Sequence, residues 1–213
     1  MQLKGKEQVL KNIRHALISA TDQPFSQLDQ TQPVFPDPED SLDVLFAREF
    51  TAVNGQFVYC ENDQELVTNL QLLAAEKQWK QLLVWEYALI QKLQAGLSDV
   101  LHIGRNPERA DAGLTGCEAL IARTGTIMVT SRSESGRVLS VFPPVHVVVA
   151  YAHQLVYDIR DALQLITARY SSAVPSMISL ITGPSRTADI EKTLVLGAHG
   201  PKEIYVLFVD QPA

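Results

Sequence analysis

From Ile181 to Pro201 the chain reads ITGPSRTADIEKTLVLGAHGP, a crowding of residue types suited to holding an anion. The apolar run Met177-Ile178-Ser179-Leu180-Ile181 reads as a strand that breaks at Thr182-Gly183-Pro184. Ser185, Arg186, Thr187 and Asp189 follow at the expected start of a helix or turn. Glycine and small hydroxyl residues let the backbone turn tightly, and a helix start offers unpaired N–H groups at the positive end of its dipole. Arg186 adds a planar fork for a carboxylate or phosphate, and Asp189 can orient that fork or cap the helix. The same hydroxyls and acid serve equally as plain helix caps. His199, on the turn Gly197-Ala198-His199-Gly200-Pro201, is placed to donate to an anion or move a proton. The expected anion-binding set here is Gly183, Ser185, Arg186, Thr187, Asp189, His199 and Gly200.

A second polar cluster lies in AGLTGCEALIARTGTIMVT, residues 112–130. Thr115, Gly116 and Glu118 precede a short apolar stretch, and Thr124, Gly125 and Thr126 turn into a strand. A carboxylate beside glycine-rich backbone can act as a base, a nucleophile or the partner of a cation, so Glu118 is the candidate catalytic residue. It can also be only a capping carboxylate. Ser131–Arg137 reads as a polar lid or a plain surface connection. His146, His153 and His199 lack close metal-ligand spacing, so no metal site is expected. No G-x-G-x-x-G or G-x-x-x-x-G-K sequence occurs, so dinucleotide and P-loop sites have no support.

The elements that must position these clusters follow from apolar periodicity. Val9, Ile13, Ala16, Leu17 and Ala20 recur at helical spacing, predicting an amphipathic helix over residues 1–20. Residues 21–43 hold Pro24, Pro33, Pro36 and Pro38 with six acids and no Lys or Arg, an extended acidic connector. From there to residue 213 a single domain alternates helix and strand. Helices are predicted at 42–53, 63–79, 88–94 and 155–170, and strands at 56–60, 82–85, 100–103, 126–130, 145–151, 177–181 and 204–209. Near-continuous apolar strands such as Val145-His146-Val147-Val148-Val149 are those of a sheet covered on both faces. The fold class is therefore α/β, an open, largely parallel sheet with flanking helices, whose ligands sit beyond the strands' carboxyl ends.

Composition closes off several functions. A net charge of −6 and no basic stripe argue against nucleic-acid binding. No run approaches the roughly 18 apolar residues of a membrane span, and no secretory leader is evident, so a cytoplasmic location is expected. Cys60 and Cys117 are too few for a four-thiolate iron–sulfur cluster or a four-Cys zinc site; whether they pair is left open by their spacing. A reduced pair is the better expectation.

Four segments in order, GLTGCEALIARTGT (113–126), PPVH (143–146), GPSRTADIE (183–191) and GAHGP (197–201), resemble the lactate-utilisation protein C family, the LUD domain. The resemblance covers residues 110–210, and the first half matches only in layout. It implies a fold like that of the ribose-phosphate isomerase and CoA-transferase group. It also implies an accessory role beside two cysteine-rich iron–sulfur proteins that oxidise L-lactate, with no cofactor on this chain and the clusters on its partners. Many relatives carry Asp at the place of Glu118. A stand-alone isomerase or acyl transferase using Glu118, or a non-catalytic sensor of an anionic metabolite, remains the competing expectation.

Overall fold

The computed structural model describes residues 5–18, 34–104, 106–190, 193–197 and 199–211, with backbone alone for 187–190 and 193–196. Most of the predicted acidic connector, residues 19–33, and the side chains of Thr187 and Asp189 lie outside the described residues. The chain divides into two units, Met1–Asp37 and Pro38–Ala213. The first carries helix α1, Gly5–Ile18, none of whose residues is buried.

In the second unit six strands form one all-parallel sheet: β1 (Gln56–Cys60), β2 (Leu82–Val84), β3 (Leu101–His102), β4 (Ala112–Thr115), β7 (Val145–Tyr151) and β12 (Glu203–Val209). Their order is β1-β12-β7-β4-β2-β3. The uninterrupted apolar run of β7 follows from its central place, where alternate side chains enter different cores. Val145, Val147, Val149 and Tyr151 meet α3 (Asp63–Glu76) and α4 (Tyr87–Leu97) through Leu66, Leu70, Leu89 and Leu93. Val148 and Ala150 face the other way, onto Leu45, Phe46 and Phe50 of α2 (Leu42–Ala52). The Phe46 and Phe50 rings stack there at 5.3 Å.

A second, four-stranded sheet lies beyond that core, ordered β8-β5-β6-β9: β5 (Ala119–Ile121), β6 (Thr126–Thr130), β8 (Leu155–Val156) and β9 (Ile178–Ile181). Leu120, Ile127 and Val129 point back to the α2 core, whereas Ala119, Ile121 and Met128 pack under Ala162 and Ile166 of α5 (Ile159–Tyr170). Burial on both faces explains why β5 and β6 read as continuous apolar runs.

The structure departs from the expected elements in three places. Strands 126–130 and 178–181 join this second sheet rather than the main one, antiparallel to each other. The helix expected over 155–170 starts only at Ile159, because Asp158 caps it: its Oδ1 accepts the Arg160 N–H at 3.0 Å and Asp161 accepts the Asp158 N–H at 2.9 Å. Finally, Ser185–Ile190 does not begin a helix. Arg186–Ile190 is strand β10, antiparallel to β11 (Thr193–Leu196). The Ser185 N–H goes to the Pro201 carbonyl at 3.0 Å, and the Gly197 N–H goes to the Ser185 carbonyl at 2.9 Å. The donors an anion would have used at a helix start are consumed in stapling the two ends of the hairpin. Gly183 (φ 81°) and Gly197 (φ 74°) supply the left-handed backbone of those ends.

Candidate functional site

The expected site residues fall into two groups. Thr115, Gly116 and Glu118 line a cavity of about 240 Å³ at the carboxyl ends of β2, β4 and β7. The remainder cluster about the β10–β11 hairpin and the turn before β6. There the Thr124 and Thr126 hydroxyls lie 2.7 Å apart, and Thr126 reaches the Thr182 hydroxyl at 2.8 Å. Gly125 adopts φ 57° against the backbone of Phe50, and Gly183 leaves room for the Val53 carbonyl. Arg186 is exposed and donates to that same Val53 carbonyl at 2.8 Å. Ser185 is half-buried beside Gly200, and His199 is exposed. None of the described side chains of this second group lines the cavity.

The cavity is built where chain direction changes. β2 ends at Val84, and Trp85-Glu86 leads into α4, with Glu86 in the capping position. β4 ends at Thr115, and Gly116-Cys117-Glu118 crosses to the second sheet. Glu86 bridges these elements: its Oε2 accepts the Gly116 N–H and its Oε1 accepts the Ser135 hydroxyl, both at 2.8 Å. A side chain at position 116 would collide with that carboxylate, since an added Cβ falls 2.9 Å from Oε2. The segment Ser131–Arg137 is neither a free lid nor a plain surface loop. Ser135 is buried on Glu86, Glu134 accepts the Tyr87 N–H at 2.5 Å, and Arg137 donates to the Ser176 hydroxyl at 2.8 Å.

Glu118 is only 8% exposed and is held by three donors. Thr130 and Tyr170 donate to its Oε1 at 2.8 and 2.6 Å, and the Arg169 guanidinium pairs with its Oε2. Arg169 lines the cavity, and its side chain remains 48% exposed. Across the cavity Tyr151 donates to Asp63 at 2.9 Å and accepts from Lys92 at 2.8 Å. Gln154 donates to the Cys117 carbonyl and accepts the Tyr151 N–H at 2.8 Å.

Burial governs the titratable groups of the cavity wall. Burial, against the stabilising Gly116 and Ser135 bonds, pushes the Glu86 carboxyl above the usual range, and the neighbouring Glu134 and Glu118 charges add to the rise. Burial, then the Glu86 and Glu118 charges, pushes the Cys117 thiol far up, which leaves it a poor nucleophile. Cys60 is buried and its thiol is raised by that burial; both cysteines are free. Burial and then its bond to Glu118 raise Tyr170, keeping the phenol a donor.

His146 supports the floor of the site. The single Thr115 hydroxyl hydrogen goes to the Gly116 carbonyl at 2.8 Å, so His146 Nε2–H donates to Thr115 at 2.9 Å. Its Nδ1 has no partner, and burial lowers the ring to about 4. Because the folded value lies below the ordinary ~6.5, the neutral ring favours folding, fully so above that value, and the benefit is lost as the pH falls towards 4. Between pH 7 and 5 the wild type should therefore lose about 2 kcal/mol that a His146→Leu variant does not lose, read as the shift in urea midpoints. Parallel loss in both proteins would clear His146 of that role.

Sequence reasoning missed Glu86, Ser135, Arg169 and Tyr170. Glu86 alone carried a local signal, as the first acid past the carboxyl end of a predicted parallel strand. Among the described residues no group of three or more His, Cys, Asp or Glu is placed to hold a metal ion, and no helix is long and apolar enough to cross a membrane.

Comparison with known proteins places this architecture. The LUD-domain model matches residues 45–209, and the chain belongs to the LUD-domain family. It is 39% identical over 99 residues to an uncharacterised protein of Neisseria meningitidis, covering 46% of this chain and 42% of that one. It is 38% identical over 103 residues to lactate utilization protein C of Deinococcus radiodurans, covering 48% of each. It is 36% identical over 110 residues to lactate utilization protein C of Bacillus subtilis, covering 50% of this chain and 46% of that one. The chain thus spans about half the length of the curated relatives it matches. The crystal structure of a DUF162 family protein from Deinococcus radiodurans has the same fold, with a TM-score of 0.61 at 21% identity, covering 82% of this chain and 99% of that one.

Proposed function

We propose that this chain is an accessory subunit of a lactate-utilisation system, and that its cavity holds a small carboxylate. Two relatives over the matched half are named lactate utilization protein C, which supports the system. The observation that carries the ligand reading is the half-exposed Arg169 that lines the cavity, oriented by its pair with Glu118. A guanidinium held this way binds a carboxylate through paired N–H groups. The volume, about 240 Å³, lies under the ~300–1,000 Å³ of drug-sized sites and suits a small metabolite. With only Cys60 and Cys117, electron transfer belongs to cysteine-rich iron–sulfur partners.

A stand-alone isomerase or acyl transferase would need Glu118 free to attack or to take a proton. Both of its oxygens already accept hydrogen bonds from Thr130, Tyr170 and Arg169, which favours the binding role.

Calorimetric titration with L-lactate and pyruvate tests the ligand. Arg169→Ala should weaken binding roughly 10- to 100-fold, the scale of about 1.5–3 kcal/mol for a charged hydrogen bond. Unchanged affinity would remove Arg169 from the site. A tagged pull-down from cells grown on L-lactate tests the assembly: brown, cysteine-rich proteins should co-purify, and a colourless lone chain would overturn the accessory role.

A further inference from the structure

The cavity holds two acids in opposite circumstances. Glu118 is in an ion pair with Arg169 and carries two hydroxyl donors besides. Glu86, on the wall that follows β2, pairs with no cation among the described residues: it receives one backbone N–H and one serine hydroxyl. With the Gly116 N–H on Oε2, a proton taken up by Glu86 goes to Oε1. Ser135 donates its own hydrogen to Oε1, so the acid hydrogen on Oε1 stays available to a ligand.

We propose that Glu86 recognises its ligand as a neutral carboxylic acid, donating from Oε1 to a bound small monocarboxylate, so that each ligand is taken up together with one proton. This rests on the carboxylate reading of the cavity. A carboxylic acid kept neutral by its surroundings can serve a site as a hydrogen-bond donor. An ionised Glu86 would set a second negative charge, beside Glu118, against the ligand's own. The proton removes that repulsion and turns an acceptor-only group into a donor, while Arg169 grips the carboxylate from the other side. The raised position of Glu86 on the pH scale agrees with this.

The groups that can also titrate against Glu86 come from every wall. Glu134 lies on the segment before β7, Cys117 and Glu118 follow β4, Tyr151 ends β7 with His153 stacked on it at 6.1 Å, and Arg169 and Tyr170 end α5. Loss of the effect in a variant of Glu86, and its survival in His153→Gln, assigns the proton.

The experiment is calorimetry of the full chain with acetate, L-lactate and pyruvate across pH 5 to 8, in pairs of buffers with different ionisation heats. Uptake of about one proton per bound anion should appear on the alkaline side, with affinity falling about tenfold per pH unit there. Glu86→Gln keeps an acceptor for the Gly116 N–H and puts an amide NH2 where Oε1 stood, one hydrogen for Ser135, which turns to accept it, and one for the ligand, and should bind with no such slope. Binding without proton uptake in the wild type, or the same slope in Glu86→Gln, overturns the inference and leaves the carboxylate reading standing. No binding of any of the three anions by the wild type overturns that reading and this inference with it. Proton uptake is counted on the wild type, so the result does not depend on the variant folding.

Discussion

Gly125→Ala is expected to destabilise the α/β unit by about 2–5 kcal/mol. The residue sits at φ 57°, the left-handed region, where a Cβ costs about 1–2 kcal/mol through its clash with the following carbonyl. A second cost comes from outside the turn. An added Cβ would lie 2.3 Å from the Phe50 nitrogen and 2.5 Å from the Glu49 carbonyl carbon. These are backbone atoms of α2 that cannot swing aside, and overpacking of this kind costs about 1–3 kcal/mol more. For a unit of this size the melting temperature should fall by roughly 6–15 °C. The contact also fixes how α2 lies against the second sheet, so the loss should appear as a lower urea midpoint with the slope retained. An unchanged midpoint would mean that the turn is loose. It would return Gly125 to the ligand-binding candidates it joined on sequence grounds.

Glu118→Ala should cost about 3 kcal/mol. It strands the Thr130 and Tyr170 hydroxyls, both of which now end on Oε1, and removes the partner of Arg169. Breaking a buried ion pair costs about 3–5 kcal/mol. The lower end applies because Arg169 is 48% exposed and water can replace the lost carboxylate on its outer side. Glu118→Gln, which keeps an acceptor for the two hydroxyls but loses the charge, should cost clearly less. The two variants together separate hydrogen bonding from charge in denaturant melts. If Glu118→Ala melts with the wild type, Glu118 is not the anchor of this wall, and its case as a reacting group revives.

Much of the fold was legible because the signals are local. β1, β6 and β7 lie where apolar runs end in turn residues, at 56–60, 126–130 and 145–151. α2 stops before Asn54-Gly55, where Asn54 takes φ 66°. The start of α5 reads four residues too early because Leu155 and Val156 continue its apolar pattern, yet the cap at Asp158 and pairing with β5 take them into a strand. The Gly183–Gly200 motif was harder. Its Gly, Ser, Thr and Asp serve a helix start and a hairpin base equally well, and only the Pro201 carbonyl, across the hairpin, chooses between them.

The sequence by itself determined the α/β class, the parallel character of the main sheet, the LUD-domain resemblance and the choice of Thr115, Gly116 and Glu118 as candidate site residues. Periodicity, capping and turn chemistry act over a few residues, and those features need nothing more. Tertiary structure alone decided which strands share a sheet and what surrounds Glu118. Glu86 meets Gly116 across 30 positions, Ser135 across 49, and Arg169 meets Glu118 across 51. No local pattern encodes those encounters. They exist because the strand ends and α5 are brought together when both faces of each sheet are buried, and the charge balance of the cavity is set only then.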